Sequence, residues 1–146
     1  RVAGLFSRRG YNIDSLTVGE TEHPDISRMT VVARGEDSVL EQITKQLSKL
    51  EDVKEIVELE RDASVCRELV LVKVAAGIAE RTELNTIANI FRANVVDVSS
   101  EIMMMEMTGT ISKIDAFIKL LDGFEIKELV RTGITGLTRG SDSIAD

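Results

Sequence analysis

Apolar residues along this chain change their spacing in the same order twice, and that repeat restricts the possible folds more than any single motif. In the second half, Glu68 to Ala75 (ELVLVKVA) reads as a near-continuous apolar strand, central in a sheet and covered on one face. Ala76 to Glu80 turns the chain, and Leu84, Ile87, Ala88 and Phe91 then recur at helical spacing. Asn94 to Ser100 and Ile102 to Thr108 read as two further strands. Ser112 with Asp115 has the spacing of a capping pair before a helix carrying Ile114, Phe117, Ile118 and Leu121. Phe124 to Thr132 is the last strand, and GITGLTRG follows as a glycine-punctuated tail. The order is β-α-β-β-α-β, the ferredoxin-like arrangement.

The first half gives the same order without its opening strand. Leu5 and Phe6 belong to the end of a helix; Arg8 and Arg9 suit the negative end of its dipole, and Gly10 is the expected left-handed stop. Asn12 to Glu22 reads as a strand with Ile13, Leu16 and Val18 as its apolar set. The step from Ile13 to Leu16 breaks the two-residue period, which predicts a bulge near Ser15. His23-Pro24-Asp25 is a turn, and Ile26 to Arg34 returns as the second arm of a hairpin. Ser38 and Glu41 have capping-box spacing, and Leu40, Ile43, Leu47 and Leu50 form one apolar stripe. Glu41, Gln42, Lys45, Gln46 and Lys49 fall on its solvent side. Val53 to Glu60 alternates as a strand, and Arg61 to Arg67 reads as a linker.

The expected fold is therefore α+β: two tandem ferredoxin-like (βαββαβ) units, spanning 1–62 and 68–140. Each has an antiparallel sheet with its helices on one face. The chain starts inside a helix at Arg1, so the opening strand of the first unit is expected to lie before it. A bare edge in that unit and open sheet faces in both predict pairing with a second copy.

With aromatics at 3% and no Trp, the core must be aliphatic, and 43% hydrophobic against 29% charged residues is the balance of a folded protein. A net charge of −7 without a basic patch argues against nucleic acid as partner. No apolar run reaches the ~18 residues of a membrane span, and no signal peptide is visible. Cys66 cannot form an internal disulfide, which suits a reducing compartment, and it reads as a passive thiol in the linker.

Few residues invite chemistry. His23 is the sole histidine and sits in a turn, where a solvated side chain is the simpler reading than a metal ligand or a base. Gly133, Gly136 and Gly140 lie in the tail, not between a strand and a helix, so no phosphate cradle is supported. Asp97 in mid-strand points outward or faces a partner. Met103, Met104, Met105 and Met107 share one strand and so populate both faces, half core and half available to a partner. Gly10-Tyr11-Asn12-Ile13 is the stronger signal. Asn12 offers an amide donor and acceptor at a sheet edge, and Ile13 an aliphatic side chain, which suits a small amino acid.

GLFSRRGYNIDSLTVG, followed by ISRMTVV, LEQITKQLSKLEDV, ELVLVKV, IFRANVVDVS and ELVRTGITGLTRG, resembles the small, regulatory subunit of acetolactate synthase (acetohydroxyacid synthase) over nearly the whole chain. The resemblance implies an N-terminal ACT domain, which senses amino acids, and a second ferredoxin-like domain. It implies a subunit without catalytic activity that activates a separate thiamine-diphosphate-dependent large subunit and confers feedback inhibition by valine. No thiamine, flavin or magnesium site is then expected in this chain. It further implies a homodimer through the ACT domains, with the effector between them, and a bacterial cytoplasmic or plastid setting. In that family one wall of the effector site is the start of the second strand, matched here by Asn12 and Ile13 with Gly10 and Tyr11 beside them. The opposing loop would lie before Arg1, so the chain is expected to carry at most half of each site. A free-standing ACT-type sensor acting on another partner is the competing expectation.

Overall fold

The strand that organises the better-packed half is β3 (Ser64–Ala75), whose alternate residues Val70, Val72 and Val74 are almost wholly buried. The computed structural model describes residues 10–144, which divide into two compact units: Arg67–Gly133, and residues 10–66 together with 134–144.

In the Arg67–Gly133 unit, β3 lies between β5 (Ile102–Gly109) and β6 (Ile126–Arg131), and β4 (Asn94–Val98) pairs outside β5. All of these pairings are antiparallel, giving the order β4-β5-β3-β6 of a ferredoxin-like sheet. Helices α2 (Ile78–Phe91) and α3 (Ile111–Leu120) supply Leu84, Ile87, Ala88, Ile114 and Phe117 to one continuous core on one sheet face. Met103, Met105 and Met107 join that core and only Met104 turns away, so more of the methionine strand is interior than an even division of faces predicts. The core side of β5 takes the odd-numbered positions, which happen to hold three of the four.

Helix boundaries correct the sequence reading in both units. Helix α2 begins at Ile78 with Gly77 as its cap, inside the stretch read as a turn. The cap of α3 is Thr110, whose hydroxyl accepts from the Lys113 N–H, and not Ser112. Asp115, assigned to capping, instead bonds Arg131. In the other unit α1 (Asp37–Ser48) is capped by Glu36 without a side-chain hydrogen bond, so Ser38 lies within the first turn and the Ser38–Glu41 box does not form. The stripe does hold: Ile43 is buried while Glu41, Gln42, Lys45 and Lys49 are exposed.

The first unit carries the hairpin β1 (Asn12–Glu20) and β2 (Ser27–Arg34). Its register shifts between Ile13 and Ser15, which is the bulge that the spacing predicted. The reading of Leu5 to Arg9 as a helix lies outside the described residues. Val53 to Glu60, read as a strand, forms no ladder among the described residues. In the ferredoxin-like order the last strand pairs with the first, and no strand before β1 is among the described residues.

The tail and linker are also more ordered than their composition indicates. Arg61–Ala63 forms a 3₁₀ turn, and Ser64 to Cys66 already belong to β3, so Cys66 is in a strand and not a linker. The supposed tail contains β7 (Thr135–Thr138), which pairs with β3, and the Arg139 N–H donates to the Ala63 carbonyl at 2.8 Å. Gly136 permits this approach, because a Cβ there would stand 2.6 Å from Cys66 Sγ. Thr17 Oγ1 donates to the Ile134 carbonyl at 3.2 Å and Arg28 Nη2 to the Gly136 carbonyl at 3.2 Å, tying the same segment to the hairpin.

Candidate functional site

The four residues singled out by the sequence stand in succession at the entry to β1. Gly10 has φ +70°, a left-handed turn, and no atom lies within 4 Å of a Cβ built on it, so the backbone angle and not crowding calls for glycine. Tyr11 is half-buried, Asn12 is exposed and in register with Arg34, and Ile13 is half-buried opposite Ala33.

Successive strand residues point to opposite faces. The Asn12 amide and the Ile13 side chain therefore do not line one patch of sheet; a ligand touching both must wrap the edge of β1 that has no neighbouring strand among the described residues. The bulge brings a further pair to the Asn12 end. Arg34 Nε donates to Asp14 Oδ2 at 2.8 Å, with both side chains well exposed. Such a pair adds little to stability. Chemically it is useful, since a guanidinium can meet a carboxylate and a carboxylate can meet an ammonium group. Sequence reasoning missed Asp14 and Arg34. The signal was available, because opposite charges sit at the two ends of a predicted hairpin, but only the register shows that they meet.

The other candidates do not join this group. His23 is exposed at the hairpin tip, where its carbonyl accepts from the Ile26 N–H at 3.0 Å. Asp97 is exposed on β4. Open clefts lined by Val57, Glu58, Thr138 and Ile144, and by Leu40, Thr44 and Glu58, include none of residues 10–13. Among the described residues no cluster of three or more His, Cys, Asp or Glu side chains could hold a metal ion, and no helix is long and apolar enough to cross a membrane.

The strongest charge cluster lies elsewhere. Glu68 is buried, and both its oxygens accept from Arg131, the second at 3.3 Å from Nη2; Arg131 Nη1 also donates to Asp115 Oδ1 at 2.8 Å. The bond to Glu68, more than the charge of Asp115, holds the Arg131 guanidinium above its ordinary pKa. The next residue continues the tie, with Leu69 N–H donating to Thr132 Oγ1 at 3.1 Å. This group joins β3, β6 and α3, with Glu68 buried and Asp115 at its exposed end.

Comparison with known proteins supplies the identity that this geometry leaves open. Residues 67–140 match a family described as "Small subunit of acetolactate synthase", and residues 1–55 match an "AHAS small subunit-like ACT domain". A probable acetolactate synthase small subunit of Methanothermobacter thermautotrophicus is 58% identical over 97% of this chain and 84% of its own length. The acetolactate synthase small subunit of Mycolicibacterium smegmatis is 51% identical over 99% of this chain and 85% of its own. The crystal structure of the Thermotoga maritima small subunit superposes with a TM-score of 0.89 at 40% identity, covering 97% of this chain and 88% of that one. Identity of this extent over both units, with the ferredoxin-like order seen above, places the chain in the family of acetolactate synthase small subunits.

Proposed function

We propose that the chain is a non-catalytic regulatory subunit that activates the thiamine-diphosphate-dependent catalytic subunit of acetolactate synthase and makes it sensitive to valine. The observation that carries this reading is the family match across both units, which joins an ACT domain to a small-subunit domain in one chain. The exposed polar set at the entry to β1 is what an amino-acid effector requires: Asn12 offers hydrogen bonds to either head group, and Arg34 and Asp14 offer opposite charges. Ile13 supplies the aliphatic contact from the edge. A second ACT domain in a homodimer would close the site over the free edge of β1.

Regulation is then a coupling free energy. Valine binds better to one arrangement of the paired domains, and that arrangement activates the catalytic subunit less. Linkage requires the catalytic subunit to weaken valine binding by the same factor.

Asn12→Ala is expected to raise the valine concentration for half-inhibition about tenfold or more, the order of losing one hydrogen bond to a charged head group, while leaving activation of the catalytic subunit nearly unchanged. Acetolactate formation by the reconstituted complex, titrated with valine, measures both. Equal loss of activation and inhibition would point instead to a damaged fold and remove Asn12 from the site.

A further inference from the structure

The hairpin of the first unit has two unlike faces. Strand β2 keeps its alternation throughout, so Arg34, Val32, Thr30 and Arg28 point to one side. Across the ladder they face Asn12, Ser15, Thr17 and Gly19. The apolar pairs Ile13–Ala33, Leu16–Val31 and Val18–Met29 take the other side. The more polar face thus carries Asn12 and Arg34 at one end and Thr17 and Arg28 towards the other.

Thr17 and Arg28 fasten the segment 134–138 to that face. The carbonyls they hold, of Ile134 and Gly136, are two residues apart and so leave the same edge of the segment. Its β7 residues pair with β3, and Gly136 is buried against Cys66 with no room for a Cβ. The segment is therefore held by side chains towards the hairpin and by a ladder towards β3. Before it, Gly133 turns the chain with φ 88°. Just ahead of that turn, the Thr132 N–H donates to the Leu69 carbonyl at 3.0 Å, the Leu69 N–H donates to Thr132 Oγ1 at 3.1 Å, and Arg131 holds Glu68. One continuous stretch of chain is thus fastened to the hairpin at one end and within the Arg67–Gly133 unit at the other.

From Arg34 to Thr30, the residue paired with Thr17, is four residues, about 14 Å of strand, so this fastening lies beyond reach of a ligand at Asn12. The bulge between Ile13 and Ser15, where the strand twists most sharply, stands between the two places. Resting on the reading of the Asn12 end as the effector site, we infer that residues 134–138 are a coupling strap. Thr17 and Arg28 pass occupancy of the site to the Arg67–Gly133 unit and add nothing to effector affinity. A ligand closing over Asn12 changes the hairpin's twist at the bulge, and the two bonds oblige the strap to follow. Removing them lowers the coupling while the subunit by itself binds valine as before. By linkage the catalytic subunit then weakens valine binding less, by the same factor.

The test separates depth of inhibition from affinity, using the full-length small subunit with Thr17→Val and Arg28→Met together, changes that keep shape and remove the two donors. Calorimetry on this subunit alone should give a valine affinity within about threefold of the unchanged subunit, and its activation of the catalytic subunit should stay within about twofold. The factor by which saturating valine lowers the activated rate should fall about fivefold or more, the order expected for losing two hydrogen bonds. Arg28→Lys alone, which keeps a cationic donor, should hold that factor within about twofold. Full depth of inhibition in the double variant, a valine affinity lost in step with the depth, or a loss of activation as well would each overturn the inference and leave the proposed function standing. An unchanged subunit that neither binds nor answers to valine would instead overturn that function, and the strap with it.

Discussion

Phe117→Ala is expected to lower the unfolding free energy of the Arg67–Gly133 unit by about 3–5 kcal/mol, the usual cost of emptying a large buried aromatic site. Phe117 is fully buried and meets Phe91 edge to face, with ring centroids 5.6 Å apart. Few other aromatics are available to refill the space, since the chain has four Phe, one Tyr and no Trp. Stability of a small domain is only about 5–15 kcal/mol, so this one change removes a large part of it. Hydrogen exchange at β3 and β5 amides under native conditions measures the loss for this unit alone. Protection unchanged to within about 1 kcal/mol would show that the core closes over the gap, contrary to its tight aliphatic packing.

Arg131→Met is expected to destabilise the same unit by about 2–4 kcal/mol, somewhat below the range for wholly buried pairs. The loss arises mainly at Glu68, which is 5% exposed and would keep a carboxylate with no cation beside it. Arg131 itself is 32% exposed, so water can relieve part of the penalty. Adding Glu68→Gln should recover about half of the loss, because the buried charge is then gone. A double-mutant cycle on urea unfolding checks this, and strictly additive losses would mean that the pair is not coupled.

The order of elements was legible because it rests on spacing. Leu84, Ile87, Ala88 and Phe91, and then Ile114, Phe117 and Leu121, mark helix faces that the core confirms. The bulge near Ser15 followed from one broken step in alternation. What escaped were features decided by partners distant in sequence. Whether Val53 to Glu60 forms a ladder depends on a neighbouring strand. The β7 segment looked like a loose glycine tail because its stability comes from β3 and from Thr17 and Arg28, none of which local composition can report. The caps moved because Thr110 competes with the nearby Ser112, while Glu36 takes the cap position of α1 without a side-chain bond although Ser38 is the better capping type. At the candidate site, Asn12 and Ile13 were readable as types, but their opposite faces and the Asp14–Arg34 pair required the register.

The central claim is regulation of a partner enzyme, and the direct test is acetolactate formation from pyruvate by the catalytic subunit, titrated with the full-length small subunit with and without valine. The small subunit alone should form no acetolactate, added small subunit should raise the rate of the catalytic subunit to a plateau, and valine should lower that plateau. A rate indifferent to the small subunit, or acetolactate formed by the small subunit alone, would contradict the account.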